Sequence, residues 1–216
     1  FPSNIAGLPT WFSIRASKKG YVARKKEIDF LVARNPMTAH EDVSGLEPGA
    51  AVVYDEIFKL DRLRSDLVFY PVPFSELAKE IVPETRLRRL LANMIYVGVV
   101  GQLLSIEMSS IDEAIAKQFN SKPKAIELNK KAVAFGFDYA EQHLTKSDAF
   151  RLERMEAARG KILIDGNTAA ALGAMFGGIT VATWYPITPS SSLCENLARY
   201  LSRFRIDEEN KKATFA

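Results

Sequence analysis

In the first third of the chain the apolar residues come in short β-branched and aromatic runs rather than at helical spacing. Ile28–Arg34, Ala51–Tyr54 and Leu67–Pro73 each read as a strand. Between and after them the pattern predicts a short helix near Ala39–Leu46, a turn at Glu47-Pro48-Gly49, and a helix over Phe74–Ile81 that starts near Ser75. Strands alternating with helices indicate an α/β layer. Upstream, Phe1–Trp11 is broken by Pro2, Asn4, Gly7 and Pro9. The runs Phe12–Ser17 and Tyr21–Lys26, on either side of Lys18-Lys19-Gly20, then read as a β-hairpin with a basic outer face.

From Glu84 the apolar spacing becomes helical. Leu87, Leu90, Leu91, Met94, Ile95 and Val97 to Leu104 make one long apolar helix, with Gly98 and Gly101 allowing a close neighbour. Ser110-Ile111-Asp112-Glu113 has the form of a capping box opening a helix to about Phe119, and Pro123 opens another that runs toward His143 and Leu144. Residues 145–160 are charged and aperiodic and read as a linker between domains at 1–144 and 161–216.

The last segment is built around a turn. Asn167 can cap a helix of small residues reaching Phe176, which suits close packing, and Ile179–Tyr185 reads as a buried strand. Thr188 precedes Pro189, which favours an extended N-cap followed by proline at the first helical position. The helix start so predicted would combine orphan N–H groups, the positive end of the helix dipole and the hydroxyls of Thr188, Ser190, Ser191 and Ser192, a setting suited to a carboxylate or phosphate. The turn therefore falls at a strand's carboxyl end, where open α/β sheets bind ligands. The plainer reading is an N-cap followed by a serine-rich first turn. Asn35-Pro36, after the Ile28–Arg34 strand, offers the same choice between a ligand-facing amide and a turn-former.

Composition narrows the chemistry. The 216 residues carry Lys+Arg 29 against Asp+Glu 26, a net charge of only +3, which gives no reason to expect nucleic-acid binding. Cys194 is the only cysteine, so an intrachain disulfide is impossible and an iron–sulfur cluster would need ligands from a partner. His40 and His143 lie on polar helical stretches and read as surface residues. The apolar run Met94–Leu104 is too short to cross a bilayer and no signal sequence is evident, so a cytoplasmic location is expected. The opening on Phe1 rather than Met suggests a fragment.

The blocks Gly166-Asn167-Thr168-Ala169-Ala170-Ala171-Leu172-Gly173 and Tyr185-Pro186-Ile187-Thr188-Pro189-Ser190-Ser191 resemble the start of the α subunit of 2-oxoacid:ferredoxin oxidoreductases. Gly7–Arg15, Asn35-Pro36, Val72-Pro73-Phe74, Asn93–Gly98 and Lys122–Asn129 resemble the γ domain of the same family, so the likeness spans essentially the whole chain with γ fused ahead of α. It implies a Rossmann-like γ domain with a helical extension, followed by the beginning of a thiamine-diphosphate-binding, pyrimidine-type α/β domain. Relative to the family, the glycine-rich opening of γ and the acidic motif of α, with its cofactor-binding glutamate, are missing.

The resemblance further implies oxidative decarboxylation of a 2-oxoacid to an acyl-CoA, with electrons passing to ferredoxin. The fused arrangement favours 2-oxoglutarate, with pyruvate and branched-chain acids open. On this reading Thr188, Ser190 and Ser191 bind the substrate, Tyr185, Pro186, Ile187, Thr188 and Pro189 line the cofactor pocket, and no residue here acts as a proton-transferring catalyst or metal ligand. A β subunit is expected to share thiamine diphosphate and Mg²⁺ and to carry a [4Fe-4S] cluster, and this chain alone is expected to be inactive. The basic residues Arg15, Lys18, Lys19, Lys25 and Lys26 are candidates for the phosphates of coenzyme A, against the alternative of a solvated edge that discourages strand pairing. Two rivals stand beside this: a non-catalytic α/β assembly module, and a Rossmann-type dehydrogenase, although no Gly-x-Gly-x-x-Gly occurs.

Overall fold

The computed structural model describes residues 9–21, 23–81, 85–120 and 122–209. The chain divides into two compact units, Phe1–Met155 and Glu156–Ala216.

The first unit is built on a three-stranded parallel sheet. Strands β1 (Phe30–Ala33), β2 (Ala51–Asp55) and β3 (Val68–Val72) lie side by side in chain order, with Phe30 opposite Ala51 and Ala51 opposite Val68. Helix α1 (Ala39–Ser44) joins the first two strands, and two short 3₁₀ turns lie between β2 and β3. Every residue of β2 is buried, because its side chains alternate between two covered faces. Val52 and Tyr54 pack with Ala39, Val43, Leu60 and Leu67 on the α1 side. Ala51 and Val53 join Tyr70 and Val72 under α2 (Phe74–Ile81) and α3 (Thr85–Leu103).

Helices α4 (Met108–Gln118) and α5 (Pro123–His143) complete this unit. Gly98 lets the backbones of α3 and α5 touch: a Cβ there would collide with the Val133 carbonyl oxygen and lie 2.7 Å from the Phe137 nitrogen. Gly136 does the same from the other side, against Ile95. Pro123 is the first helical residue of α5, as its fixed φ favours. The capping-box reading of Ser110 fails, since α4 starts earlier, with Glu107 as N-cap and no side-chain cap bond, so Ser110 lies inside the helix.

The β-hairpin expected over Phe12–Lys26 is absent among the described residues, where a turn over Ser17–Gly20 is the regular feature. Phe12 and Ile14 are 89% and 83% exposed, so no second apolar layer covers these runs, and a lone two-stranded ribbon is not stable by itself. Gly7, Leu8, Val22 and Glu84, which figure in the expectations above, lie outside the described residues.

Residues 145–155 have no regular secondary structure, yet the first part of this stretch is held firmly to the first unit. The Tyr70 hydroxyl donates to the Asp148 carboxylate and accepts from the N–H groups of Ser147 and Asp148 at 3.0 and 3.2 Å. The other Asp148 oxygen accepts from Lys146 Nζ at 2.8 Å and from the Phe150 N–H at 2.7 Å. Leu152 N–H reaches the Leu104 carbonyl at 2.7 Å. The charged, aperiodic sequence of a linker here encodes a clasp, because its polar groups find partners one by one rather than through a periodic element.

The second unit pairs α6 (Gly166–Phe176) with α7 (Ser191–Phe204) around Ala171, Met175, Leu197 and Leu201. Ile179–Tyr185, expected as a buried strand, is neither: it forms no ladder, and Val181 and Tyr185 are 58% and 73% exposed. Its β-branched and aromatic residues need a neighbouring strand to bury against, and among the described residues the strands all belong to the first unit. Most of the small residues of α6, including Ala169, Ala170 and Gly173, are exposed, and a Cβ on Gly173 would meet open space. Among the described residues no helix is long and apolar enough to cross a membrane.

Candidate functional site

In the second unit, residues 185–192 form a self-braced turn at the start of α7. The Ile187 carbonyl accepts from the hydroxyls of Ser190 and Ser191 at 3.0 and 3.2 Å and from the Ser191 N–H at 3.1 Å, while the Ile187 N–H donates to Ser191 Oγ at 3.1 Å. These bonds displace the expected helix start. Ser190, not Thr188, is the N-cap, in an αR conformation and without a side-chain cap bond, and α7 begins at Ser191 rather than Pro189. The Thr188–Pro189 peptide is cis.

The other wall is α6. Its N-cap is Asp165, whose carboxylate accepts from Thr168 N–H at 2.9 Å and Thr168 Oγ1 at 2.6 Å, which holds that carboxyl below the usual range. Asn167, expected as the cap, instead donates its carboxamide N–H to the Pro189 carbonyl and to Ser192 Oγ, both at 2.7 Å. Asp165 takes the cap because it stands one residue before the helix, leaving Asn167 in the first turn and free to reach across. Asn196 Nδ2 donates to Thr168 Oγ1 at 2.9 Å, a second tie between the two helices. The bonds of Asn167 therefore bring the starts of α6 and α7 together, positive dipole end beside positive dipole end.

Three of the four hydroxyls expected to face a ligand thus have intramolecular partners: Ser190, Ser191 and Ser192. Thr188 is the exception. It is exposed, and among the described residues its side chain makes no hydrogen bond. Tyr185 and Ile187 beside it are 73% and 53% exposed, so the apolar wall is open as well. The turn can offer a hydroxyl and the positive end of α7 to an anion next to uncovered apolar surface. Sequence reasoning missed Asn167 and Asn196 as braces; Asn167 lies in the first turn of α6 and Asn196 in the second turn of α7, polar positions without an apolar role.

In the first unit the expected basic residues lie along one exposed segment, and two are already engaged. Arg15 donates to the Ala23 carbonyl at 2.5 Å and lies over the Tyr21 ring at 5.2 Å, and Lys25 pairs with Asp29 at 3.4 Å. Lys18, Lys19 and Lys26 are exposed. Asn35 is a turn-former: its side-chain oxygen accepts from Met37 N–H at 3.0 Å and its carbonyl from Thr38 and Ala39. His40 and His143 are both exposed.

The carboxyl ends of the strands carry a polar crest that sequence reasoning did not single out. Arg34, directly after β1, sets its guanidinium 4.8 Å from the centre of the Tyr96 ring, and Tyr96 stacks on Phe74 at 3.3 Å. Burial, then the Asp55 carboxylate, push the Tyr96 hydroxyl pKa up, against a smaller opposite pull from Arg34. Asp55, at the end of β2, is itself buried and accepts from Ser75 Oγ at 2.9 Å and Ile57 N–H at 3.4 Å. Among the described residues no cluster of His, Cys, Asp and Glu could hold a metal ion.

A family model described as pyruvate ferredoxin/flavodoxin oxidoreductase matches residues 1–139. The 2-oxoacid:ferredoxin oxidoreductase 1 subunit alpha of Sulfurisphaera tokodaii is 23% identical over 88% of this chain and 35% of its own. The 2-oxoacid:ferredoxin oxidoreductase 2 subunit alpha of Aeropyrum pernix is 24% identical, again over 88% of this chain and 36% of its own. The chain therefore spans about a third of the length of these relatives. Among solved structures, a 2-oxoglutarate:ferredoxin oxidoreductase from Magnetococcus marinus, with 2-oxoglutarate, coenzyme A and succinyl-CoA bound, superposes with a TM-score of 0.72 at 29% identity. That superposition covers 81% of this chain and 30% of the other.

Proposed function

The chain belongs to the pyruvate ferredoxin/flavodoxin oxidoreductase family, and from that membership we propose that it is part of a thiamine-diphosphate-dependent 2-oxoacid:ferredoxin oxidoreductase. In this reading a γ-type domain is fused ahead of the start of an α-type domain. The complex oxidatively decarboxylates a 2-oxoacid, 2-oxoglutarate in preference, to an acyl-CoA and CO₂. The fused order is supported by α-subunit relatives that match across 88% of the chain, past the family model's last matched residue at 139. The preference for 2-oxoglutarate is supported by the Magnetococcus likeness.

The observation that carries the proposal is Thr188: an exposed hydroxyl with no hydrogen bond among the described residues, on a turn whose other hydroxyls are occupied. The exposed ring of Tyr185 and side chain of Ile187 fit a flat, largely apolar cofactor. Thiamine diphosphate, when bound, supplies the electron sink that decarboxylation needs. This chain's part is positioning. Thr188 Oγ1 donates to the substrate carboxylate, the helix start adds favourable electrostatics, and Tyr185, Pro186, Ile187 and Pro189 exclude water on one side. Ser190, Ser191 and Asn167 hold the turn in shape. The ligands of Mg²⁺ and of the [4Fe-4S] cluster belong to a partner β subunit, and ferredoxin is the acceptor. Lys18, Lys19 and Lys26, with Arg15 and Lys25, attract the phosphates of coenzyme A.

Thr188→Val keeps the shape of the side chain and removes its donor. A hydrogen bond to a charged group contributes about 1.5–3 kcal/mol, so turnover per active complex is expected to fall roughly ten- to a hundredfold, with Thr188→Ser close to wild type. A loss under about threefold for Thr188→Val in a folded, cofactor-loaded complex would remove the residue from the site.

A further inference from the structure

Helices α2 and α5 leave a groove of about 410 Å³, lined by Leu77 and Glu80 of the first helix and by Phe135, Asp138, Tyr139 and His143 of the second. Buried Leu77 and half-buried Phe135 make part of it apolar. Another part is a flat aromatic wall, because the His143 ring stacks on the Tyr139 ring at 4.4 Å with 12° between their planes. His143 Nδ1 lies 3.0 Å from the Tyr139 carbonyl, which can only accept, so Nδ1 carries a proton and the imidazole is held in one orientation. The charge of the groove is negative and is left uncompensated by the described residues. Glu80 and Asp138 are exposed, and among the described residues neither has an ion pair or a hydrogen bond. Lys79, beside Glu80, is engaged by Glu76 at 2.6 Å, and no lysine or arginine lines the groove. Glu56, just after β2, adds to the field: burial, then this carboxylate, push the Tyr139 hydroxyl pKa up. Tyr139 and His143 also stand in the last turns of α5, where the negative end of the helix dipole favours a cation.

We infer that this groove is the docking site for an arginine of a partner polypeptide, carried beside an apolar residue. A guanidinium is the cation that fits, since it lies flat on an aromatic wall while its N–H edge forks onto carboxylates, whereas an ammonium is a point charge without a planar edge. Leu77 and Phe135 receive the apolar neighbour, and Glu80 and Asp138, one from each helix, hold the charge. The inference concerns α2 and α5 of the first unit and does not rest on the reaction proposed above.

The test is an NMR titration of the ¹⁵N-labelled full chain with the peptide acetyl-Leu-Arg-Leu amide, and separately with its citrulline and lysine analogues, at matched ionic strength. Saturable shifts are expected in the amide signals of Leu77, Glu80 and Asp138 and in the side-chain amide of Gln142, which also lines the groove. Citrulline, which keeps the shape and loses the charge, should weaken binding roughly tenfold or more, and lysine severalfold. Glu80→Gln combined with Asp138→Asn should weaken the arginine peptide by a similar factor. Tyr139→Phe, which keeps the ring, should retain binding, and Glu113→Gln, on α4, should leave it unchanged. Linear, non-saturating shifts overturn the site, as does equal binding of the citrulline peptide, or binding that the double variant leaves intact while its amide spectrum stays folded. Shifts of the same signals on diluting the chain without peptide would assign the groove to a second copy and overturn the partner. Because the titration reads binding and not turnover, its failure leaves the proposed reaction untouched.

Discussion

At the scale of single residues, the chain separates polar groups that hold the fold from those left to act outside it. Asp148 is of the first kind. Its side chain is 1% exposed, and burial alone would raise its pKa, but the bonds from Lys146, Tyr70 and the Phe150 N–H outweigh that and hold it below the ordinary carboxylate range. A carboxyl whose folded pKa is depressed stabilises the fold above its unfolded pKa, and that stability is lost as pH falls through the folded value. Asp148→Asn is therefore expected to cost about 1–3 kcal/mol at neutral pH, with the gap to wild type closing as pH drops below about 4. Urea midpoints across that range measure it, and a gap independent of pH would show that the clasp owes nothing to charge. Thr188, exposed and without a hydrogen bond among the described residues, is of the second kind.

At the scale of elements, legibility followed from where each signal is local. The three strands and the helices α1, α2 and α5 were readable because Val-, Ile- and Phe-rich runs and Pro123 carry their own instructions. Helix starts were less so. Asn167 and Ser110 are good caps by type, but Asp165 and Glu107 stand at the positions where the backbone turns in. The runs Phe12–Ser17 and Ile179–Tyr185 have strand composition without strand partners, and pairing is a long-range property that composition does not encode. Gly98 was legible as a point of close packing on α3, but its counterpart Gly136 on α5 was not. A Cβ at either meets backbone, which cannot move aside, whereas at Gly101 it meets side chains, Ile111 Cδ1 at 2.8 Å and Phe137 Cδ2 at 3.8 Å. Gly98→Ala and Gly136→Ala are expected to destabilise by about 2–4 kcal/mol and Gly101→Ala by about 1 kcal/mol or less, read from thermal or urea unfolding. Equal costs at all three positions would contradict the backbone contact.

At the scale of the whole molecule, the chain is two units with different chemistry. The first is a sheet covered on both faces with a polar crest at its carboxyl edge; the second is a helix pair whose facing starts hold a braced turn. The Tyr-Pro-Ile-Thr-Pro motif could be seen in sequence, and so could Thr188 within it. That its three neighbouring serines are spent on bracing could not, because their partners, Ile187 and Asn167, are chosen by the path of the turn. The proposed reaction gives this chain a positioning role and leaves the redox centre to a partner. It is tested most directly by purifying the native complex that contains this chain and assaying CoA-dependent reduction of ferredoxin or a viologen dye across a panel of 2-oxoacids. Reduction that requires both a 2-oxoacid and CoA, fastest with 2-oxoglutarate, is the predicted result; no reduction from a complex that holds thiamine diphosphate and an intact cluster would contradict it and favour an assembly module.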